Sequence, residues 1–202
     1  MGITTAIPGK PRRQVTSFPY RRICVVGTTG CGKSTLAENL AQQLDIPRLE
    51  LDSYHWQPGW KESDRETTRK RVEEDTQAEA WVSDGNYRFL RDILWKRAQV
   101  LIWLDYPLYI ILWQLWRRTW KRVLTKELLW GTNTERLGAQ FFSRDSLFLW
   151  ALKSHARHRK EYSSMPGLPE YTHLKVYRLK SRRETEDWLR SLVIVPKLVN
   201  TL

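Results

Sequence analysis

Eight consecutive residues, Gly27-Thr28-Thr29-Gly30-Cys31-Gly32-Lys33-Ser34, satisfy the pattern G-x-x-x-x-G-K-[ST]. They lie between an apolar run, Ile23-Cys24-Val25-Val26, and a stretch with helical spacing that begins at Lys33. At average composition the pattern arises by accident in about 1% or fewer of chains this long. Glycines let such a backbone curl around phosphate oxygens, while successive N–H groups and the start of a helix supply donors and partial positive charge. Lys33 is expected to reach the outer phosphates of ATP, and Ser34 to bind Mg²⁺. Thr35 completes the candidate ATP-binding segment in the first helical turn, and Cys31 reads as a small residue within the loop.

The rest of the chain supplies what a strand–loop–helix unit needs. Short β-rich runs at 22–26, 48–51, 81–83, 100–104 and 174–179 alternate with helical stretches at about 33–44, 63–80, 87–97, 107–124, 146–162 and 182–192. That alternation predicts βα units on a parallel sheet. Pro107 suits a first helical turn, and Ser181 with Glu184 three residues on reads as a capping box. Residues 1–19, with Pro8, Pro11 and Pro19, are expected to form a disordered basic arm before a domain spanning 20–202.

Composition narrows the class further. The apolar fraction is 41%, too high for a disordered chain. The nearest approach to a membrane span, 101–116, is broken by Asp105, Pro107 and Gln114, so no span is expected. Two cysteines and a polar, basic start without an export signal point to a reduced, cytoplasmic setting. Lys and Arg number 34 against 22 Asp and Glu, a net charge of +12. Residues 117–160 alone hold 11 bases and 3 acids, and such a field attracts anions, whether phosphorylated small molecules or nucleic acid.

A phosphate-binding loop alone says only that a nucleotide is bound. The D-x-x-G and N/T-K-x-D motifs of GTPases are missing, since Thr125-Lys126-Glu127-Leu128 lacks the Asp. The segments after the other strands are Leu51-Asp52-Ser53-Tyr54-His55, Ser83-Asp84-Gly85-Asn86-Tyr87-Arg88 and Leu104-Asp105-Tyr106-Pro107. With these the chain resembles the adenylate-kinase-like superfamily of nucleotide, nucleoside and shikimate kinases, and within it bacterial topology modulation (FlaR-like) proteins. The resemblance implies an α/β fold of three layers, α/β/α, in which a parallel five-stranded P-loop NTPase sheet has the order 2-3-1-4-5 and carries a small helical lid at about 125–145. Asp84-Gly85-x-x-Arg88 is similar to a segment whose Arg holds an acceptor phosphate. Asp52-Ser53-Tyr54 is similar to one whose Asp meets an acceptor hydroxyl. The start of the last helix, with Arg182, stands where relatives contact adenine.

Ligands of open α/β sheets bind beyond the carboxyl ends of strands, which is where Asp52, Asp84 and Asp105 fall. Phosphoryl transfer needs a carboxylate for the nucleophile and an acid near the metal. Asp52 is therefore assigned to the acceptor and catalysis, Asp84 to the substrate and metal shell with Ser34, and Arg88 to the acceptor. Asp105 is read as a cap for the helix begun by Pro107. Arg118 and Arg136, from the basic block that runs into the lid, join Lys33 as catalytic candidates, because guanidinium forks suit phosphate oxygens. His55, His155, His158 and His173 lack metal spacing and read as non-ligands. Trp113, Trp116 and Trp120 form a helical stripe, read first as packing, with nucleobase stacking or a membrane interface as alternatives. The favoured function is an ATP- and Mg²⁺-dependent phosphotransferase acting on a small molecule, with nucleosides or nucleotides as candidate acceptors. The alternative is a regulatory ATP-binding protein associated with nucleic acid.

Overall fold

The computed structural model of the chain describes residues 16–125, 128–129, 133–134 and 147–194. Five strands, β1 (Arg22–Gly27), β2 (Arg48–Glu50), β3 (Trp81–Asp84), β4 (Val100–Leu104) and β5 (Lys175–Leu179), pair in parallel. Their order across the sheet is β2-β3-β1-β4-β5, the order that the family resemblance implies. The central strands are buried on both faces, which is why their sequences are apolar without alternation. On one face Ile23, Val25, Val82 and Ile102 pack against α1 (Lys33–Leu44) and α5 (Leu108–Thr125). On the other, Cys24, Val26, Leu101 and Trp103 pack against α3 (Arg65–Asp75), α4 (Arg91–Arg97) and Tyr162 of α6 (Leu147–Ser164). A last helix, α7 (Arg182–Ser191), begins at the predicted capping box, where Glu184 N donates to Ser181 Oγ at 3.1 Å.

Several local features differ from the sequence reading. The run predicted as strand through residue 51 turns at Leu51 into a short helix, α2 (Leu51–His55). A two-stranded hairpin, Trp56–Gln57 with Lys61–Glu62, follows it. The helix expected over 63–80 is shorter, because Asp64 caps it by accepting from Thr67 N at 2.9 Å, and it ends at Asp75. The helix expected from residue 87 begins with a tight 3₁₀ turn, Arg88–Leu90, before α4.

The boundary of the basic arm also moves. Thr16–Phe18 pairs in parallel with Leu192–Ile194, and Phe18 is 1% exposed against Tyr20, Tyr177 and Trp188. The packed domain therefore starts before Tyr20, because an aromatic side chain in the arm finds a buried seat between the sheet edge and α7. Residues 1–15 and most of the expected lid lie outside the described residues. Within the lid range, Leu128–Leu129 pairs antiparallel with Asn133–Thr134, a short hairpin where a helical segment is implied. Among the described residues, no helix is long and apolar enough to cross a membrane.

Candidate functional site

The loop between β1 and α1 is built to present backbone donors. Gly32 stands at the N-cap of α1 with φ +97°, a left-handed conformation that favours glycine, and a Cβ there would meet nothing within 4 Å. No side chain caps the helix, and its first turn carries no acid. The first N–H groups of α1 are thus free of competing carboxylates, in the positive field of the helix start. Lys33 folds back over the loop, its Nζ donating to Gly27 O at 3.0 Å and Thr28 O at 3.3 Å. Ser34 and Thr35 are exposed beside it. Cys31 is buried, and burial pushes its thiol above the ordinary range despite opposing charges from Lys33 and Arg118, so it acts as a packing atom. Helix α5 passes beside the loop, since a Cβ at Gly30 would meet Leu115 Cβ at 3.1 Å, and Arg118 is half-buried further along that helix.

The segment after β3 locks onto this loop. Asn86 Oδ1 accepts from Gly27 N at 3.2 Å, and its amide nitrogen donates back to Gly27 O. Tyr162 OH on α6 donates to the same Asn86 oxygen at 3.2 Å. One side chain thereby fixes the entrance of the phosphate loop against two other elements. The next residue, Tyr87, donates to Asp52 Oδ1 at 2.7 Å, joining the loop after β3 to α2. This approach depends on Gly85, whose φ is +152° and at which a Cβ would meet Leu51 Cβ at 2.9 Å. Burial first, then the neighbouring Asp52 charge, raises the Tyr87 pKa and keeps the phenol protonated as a donor. A small cleft lined by Val26, Gly85, Asn86, Tyr87, Arg91 and Tyr162 lies beside this junction.

The remaining strand-end acids are paired with arginines. Asp84 is 5% exposed, with Arg48 Nε at 3.1 Å from Oδ1 and Nη2 at 3.3 Å from Oδ2. Both of its oxygens are thus engaged by a guanidinium fork, which was not visible in the sequence reading. Asp105 does not stand as a simple helix cap either. Arg178 reaches its Oδ2 at 2.6 Å and Arg159 its Oδ1 at 2.9 Å, tying β5 and α6 to the end of β4. Arg88 sits on the rim, its side chain 67% exposed and 3.6 Å from Glu161, whereas Arg91 reaches the same carboxylate at 2.7 Å from inside. Arg182 pairs with Glu186 along the exposed face of α7 at 2.8 Å. Arg136 lies outside the described residues.

Helix α6 contributes what the sequence reading passed over. Thr28 Oγ1 and His155 Nδ1 share a hydrogen bond of 3.1 Å, and His158 stacks on Tyr162 with ring centroids 5.5 Å apart. Burial lowers the pKa of both histidines, and the charges of Lys33 and Arg157 help push His158 down to about 4. Among the described residues no group of His, Cys, Asp and Glu is arranged to hold a metal by itself. The helix works instead as a strap over the phosphate loop. In the sequence, the only hint is that His155, His158, Glu161 and Tyr162 recur at helical spacing.

Comparison with known proteins agrees with this architecture. Residues 23–102, from β1 to β4, match the family model AAA_18, described as an AAA domain, which spans less than half of the chain. No curated protein matches the chain by sequence. Among solved structures, a gluconokinase from Sinorhizobium meliloti 1021 superposes with a TM-score of 0.50 at 18% identity, covering 87% of this chain and 93% of that one. A shikimate kinase from Bacteroides thetaiotaomicron gives 0.48 at 17% identity, covering 84% and 94%. At these identities the likeness is one of fold. The chain shares the fold of that gluconokinase, a parallel five-stranded sheet between helices, with the glycine-rich loop after its central strand.

Proposed function

We propose that the chain is an ATP-dependent phosphotransferase that moves the γ-phosphoryl group to a small-molecule hydroxyl. One observation carries this reading. An uncapped helix start with a lysine amine folded over it lies one hydrogen-bonded residue, Asn86, away from a carboxylate that a tyrosine holds in place. The loop N–H groups and Lys33 would grip the phosphates, and Arg118, with Arg136 from the lid, would neutralise charge as it moves. Asp52 would orient the acceptor alcohol and take its proton. The alcohol oxygen forms the new bond to the γ-phosphorus, the bond to the bridging oxygen breaks, and ADP leaves with that electron pair.

The residues fit a magnesium ion. Ser34 would hold it directly and Asp84 through water, since Arg48 already engages both Asp84 oxygens. The ion supplies charge neutralisation at the phosphates. A cytoplasmic setting goes with this reading, because ATP is the donor and Cys24 and Cys31 are free thiols. The test is ADP formation by the purified chain with MgATP over a panel of nucleosides, nucleotides and small hydroxy acids. Acceptor-dependent turnover supports the reading, and turnover identical with and without every acceptor contradicts it.

A second reading, nucleic-acid association, rests on the outer face of α5. Trp113, Trp116 and Trp120 are 57%, 40% and 38% exposed there, with Arg117 and Lys121 also exposed. The likeness to topology modulation proteins points the same way. A titration with labelled DNA separates the two, using protein lacking residues 2–14 so that the packing of Phe18 is kept. A phosphate clamp predicts salt-sensitive binding that MgATP weakens. Binding that persists near ~0.15 M salt and is undiminished by MgATP favours the nucleic-acid partner.

A further inference from the structure

We propose that the outer face of α5 docks on a surface of anionic lipid, as a peripheral contact that leaves the chain outside the bilayer. The proposal stands apart from the phosphotransfer reading and competes with the nucleic-acid reading for the same face.

A surface helix ordinarily buries one face and covers the other with polar side chains. The inner face of α5 is Ile111, Leu115 and Thr119, all sealed in the domain. Its outer face is Tyr109, Trp113, Trp116, Trp120 and Leu124, recurring every three or four residues and all exposed. The end members, Tyr109 and Leu124, are 71% and 74% open. Both faces of one helix are therefore apolar, and a large apolar strip on the outside marks a contact. Indole and phenol rings bury an apolar body while keeping one polar tip wet, which is what the zone between water and acyl chains requires. The neighbouring helix α6 repeats the composition. Leu149, Trp150 and Leu152 are exposed near its start, and the Arg157 guanidinium lies 5.4 Å from the Trp150 ring.

Charge chooses the occupant. Helix α5 carries Arg117, Arg118, Lys121 and Arg122 and no Asp or Glu. Arg117 and Lys121 are exposed one position along from Trp116 and Trp120, so they flank the strip. The one acid of α6, Glu161, is already held by Arg91 at 2.7 Å. A second copy laid on this face about a two-fold axis would set bases against bases. A nucleic acid would match the bases but not the rings. Trp113 and Trp116 stack on each other at 5.1 Å and 17°, and Trp120 meets Trp116 edge-on at 6.2 Å, so the rings form one block rather than separate platforms for bases. An anionic lipid surface satisfies both parts, with the acyl boundary taking the aromatic strip and the headgroups taking Arg117 and Lys121. Because Gly30 of the phosphate loop packs beneath Leu115, docking would hold that loop one helix diameter, ~10 Å, from the lipid.

The test is co-sedimentation of the full chain with vesicles of phosphatidylcholine alone, or of phosphatidylcholine with about one third phosphatidylserine. The proposal expects binding to the anionic vesicles near ~0.15 M salt, little to the neutral ones, and quenching of tryptophan emission by brominated lipid in the bound protein. Two double variants at exposed sites separate rings from charges: Trp113→Ser with Trp120→Ser, and Arg117→Gln with Lys121→Gln. Each is expected to weaken vesicle binding about 10-fold or more, with thermal unfolding close to the parent's. Equal binding by the parent and the ring variant would mean that a net charge of +12 alone attracts the vesicle, and it overturns the proposal. Bound protein whose emission brominated lipid does not quench overturns it without recourse to a variant, as does a parent that binds neither vesicle. DNA binding lost in the ring variant, with no vesicle binding by the parent, overturns it in favour of nucleic acid. A lipid-free parent dimer that the ring variant dissociates, again with no vesicle binding, overturns it in favour of a second copy.

Discussion

The loop after β1 and the loop after β3 touch at Gly27 and Asn86, yet they are made of different material. The first is a surface of backbone N–H groups shaped by glycine, and its one long side chain, Lys33, is anchored on the loop's own carbonyls. The second is made of side chains. Asn86 reaches back to the phosphate loop, Tyr87 reaches forward to Asp52, and α6 closes over the pair through Tyr162. A backbone site is generic, because every nucleoside triphosphate offers the same phosphates. A side-chain site is particular, because its shape depends on which residues meet there. On the proposed function, common chemistry belongs to one rim and selectivity to the other.

The sharpest way to break that division is Lys33→Ala. Turnover of ATP is expected to fall roughly 100- to 1000-fold. The fold should remain, since the amine contacts only two loop carbonyls. Parent-level turnover in a folded variant would remove the phosphate-loop side of the account.

Asn86→Ala addresses the seam itself. It strips a two-way contact from Gly27 and a partner from Tyr162. Loss of about 1 to 3 kcal/mol in unfolding free energy is expected, with weaker ATP binding. Unchanged stability together with unchanged ATP affinity would show that the two rims are independent.

An effect confined to acid pH should come from His158, on the strap itself. Burial, helped by the charges of Lys33 and Arg157, holds its folded pKa at about 4, below the ordinary 6.5, so the unfolded chain takes up the proton first as pH falls. The neutral ring therefore contributes stability that is fully present above about pH 6.5 and is lost toward pH 4, about 3 kcal/mol at most. His158→Gln should flatten that part of the stability profile relative to the parent. Parallel profiles would show that the ring carries no such penalty.

How much of this was legible in sequence follows the same division. The phosphate loop was readable because its function resides in consecutive residues. The sheet order came from the family resemblance rather than from any pattern in the strands, whose two edge members, Arg48–Glu50 and Lys175–Leu179, are only partly buried, whereas Asp52 and Asp84 could be placed at strand ends by position alone. What could not be read depends on contacts between distant segments. Asn86 meets Gly27 across 59 positions, and no local pattern marks it. The fork from Arg48 onto Asp84 is a pairing of neighbouring strands, visible only once their register is known. Helix α2 is five residues long, too short for a periodic signal, so its start looked like the end of a strand. Phe18 looked like part of a polar arm because its partners, Tyr177 and Trp188, come from the far end of the chain.

The claim that one rim serves the donor and the other the acceptor is tested most directly by Asp52→Asn, with ATP affinity and phosphoryl transfer to the best acceptor measured on the same preparation. The substitution keeps an oxygen for the Tyr87 hydroxyl while removing the charge that would take the acceptor proton. The account predicts that the dissociation constant for MgATP stays within about twofold while transfer falls by roughly 100-fold or more. Normal transfer would reduce Asp52 to a structural partner of Tyr87. An equal loss of ATP binding and transfer would place Asp52 on the donor side and contradict the division between the two rims.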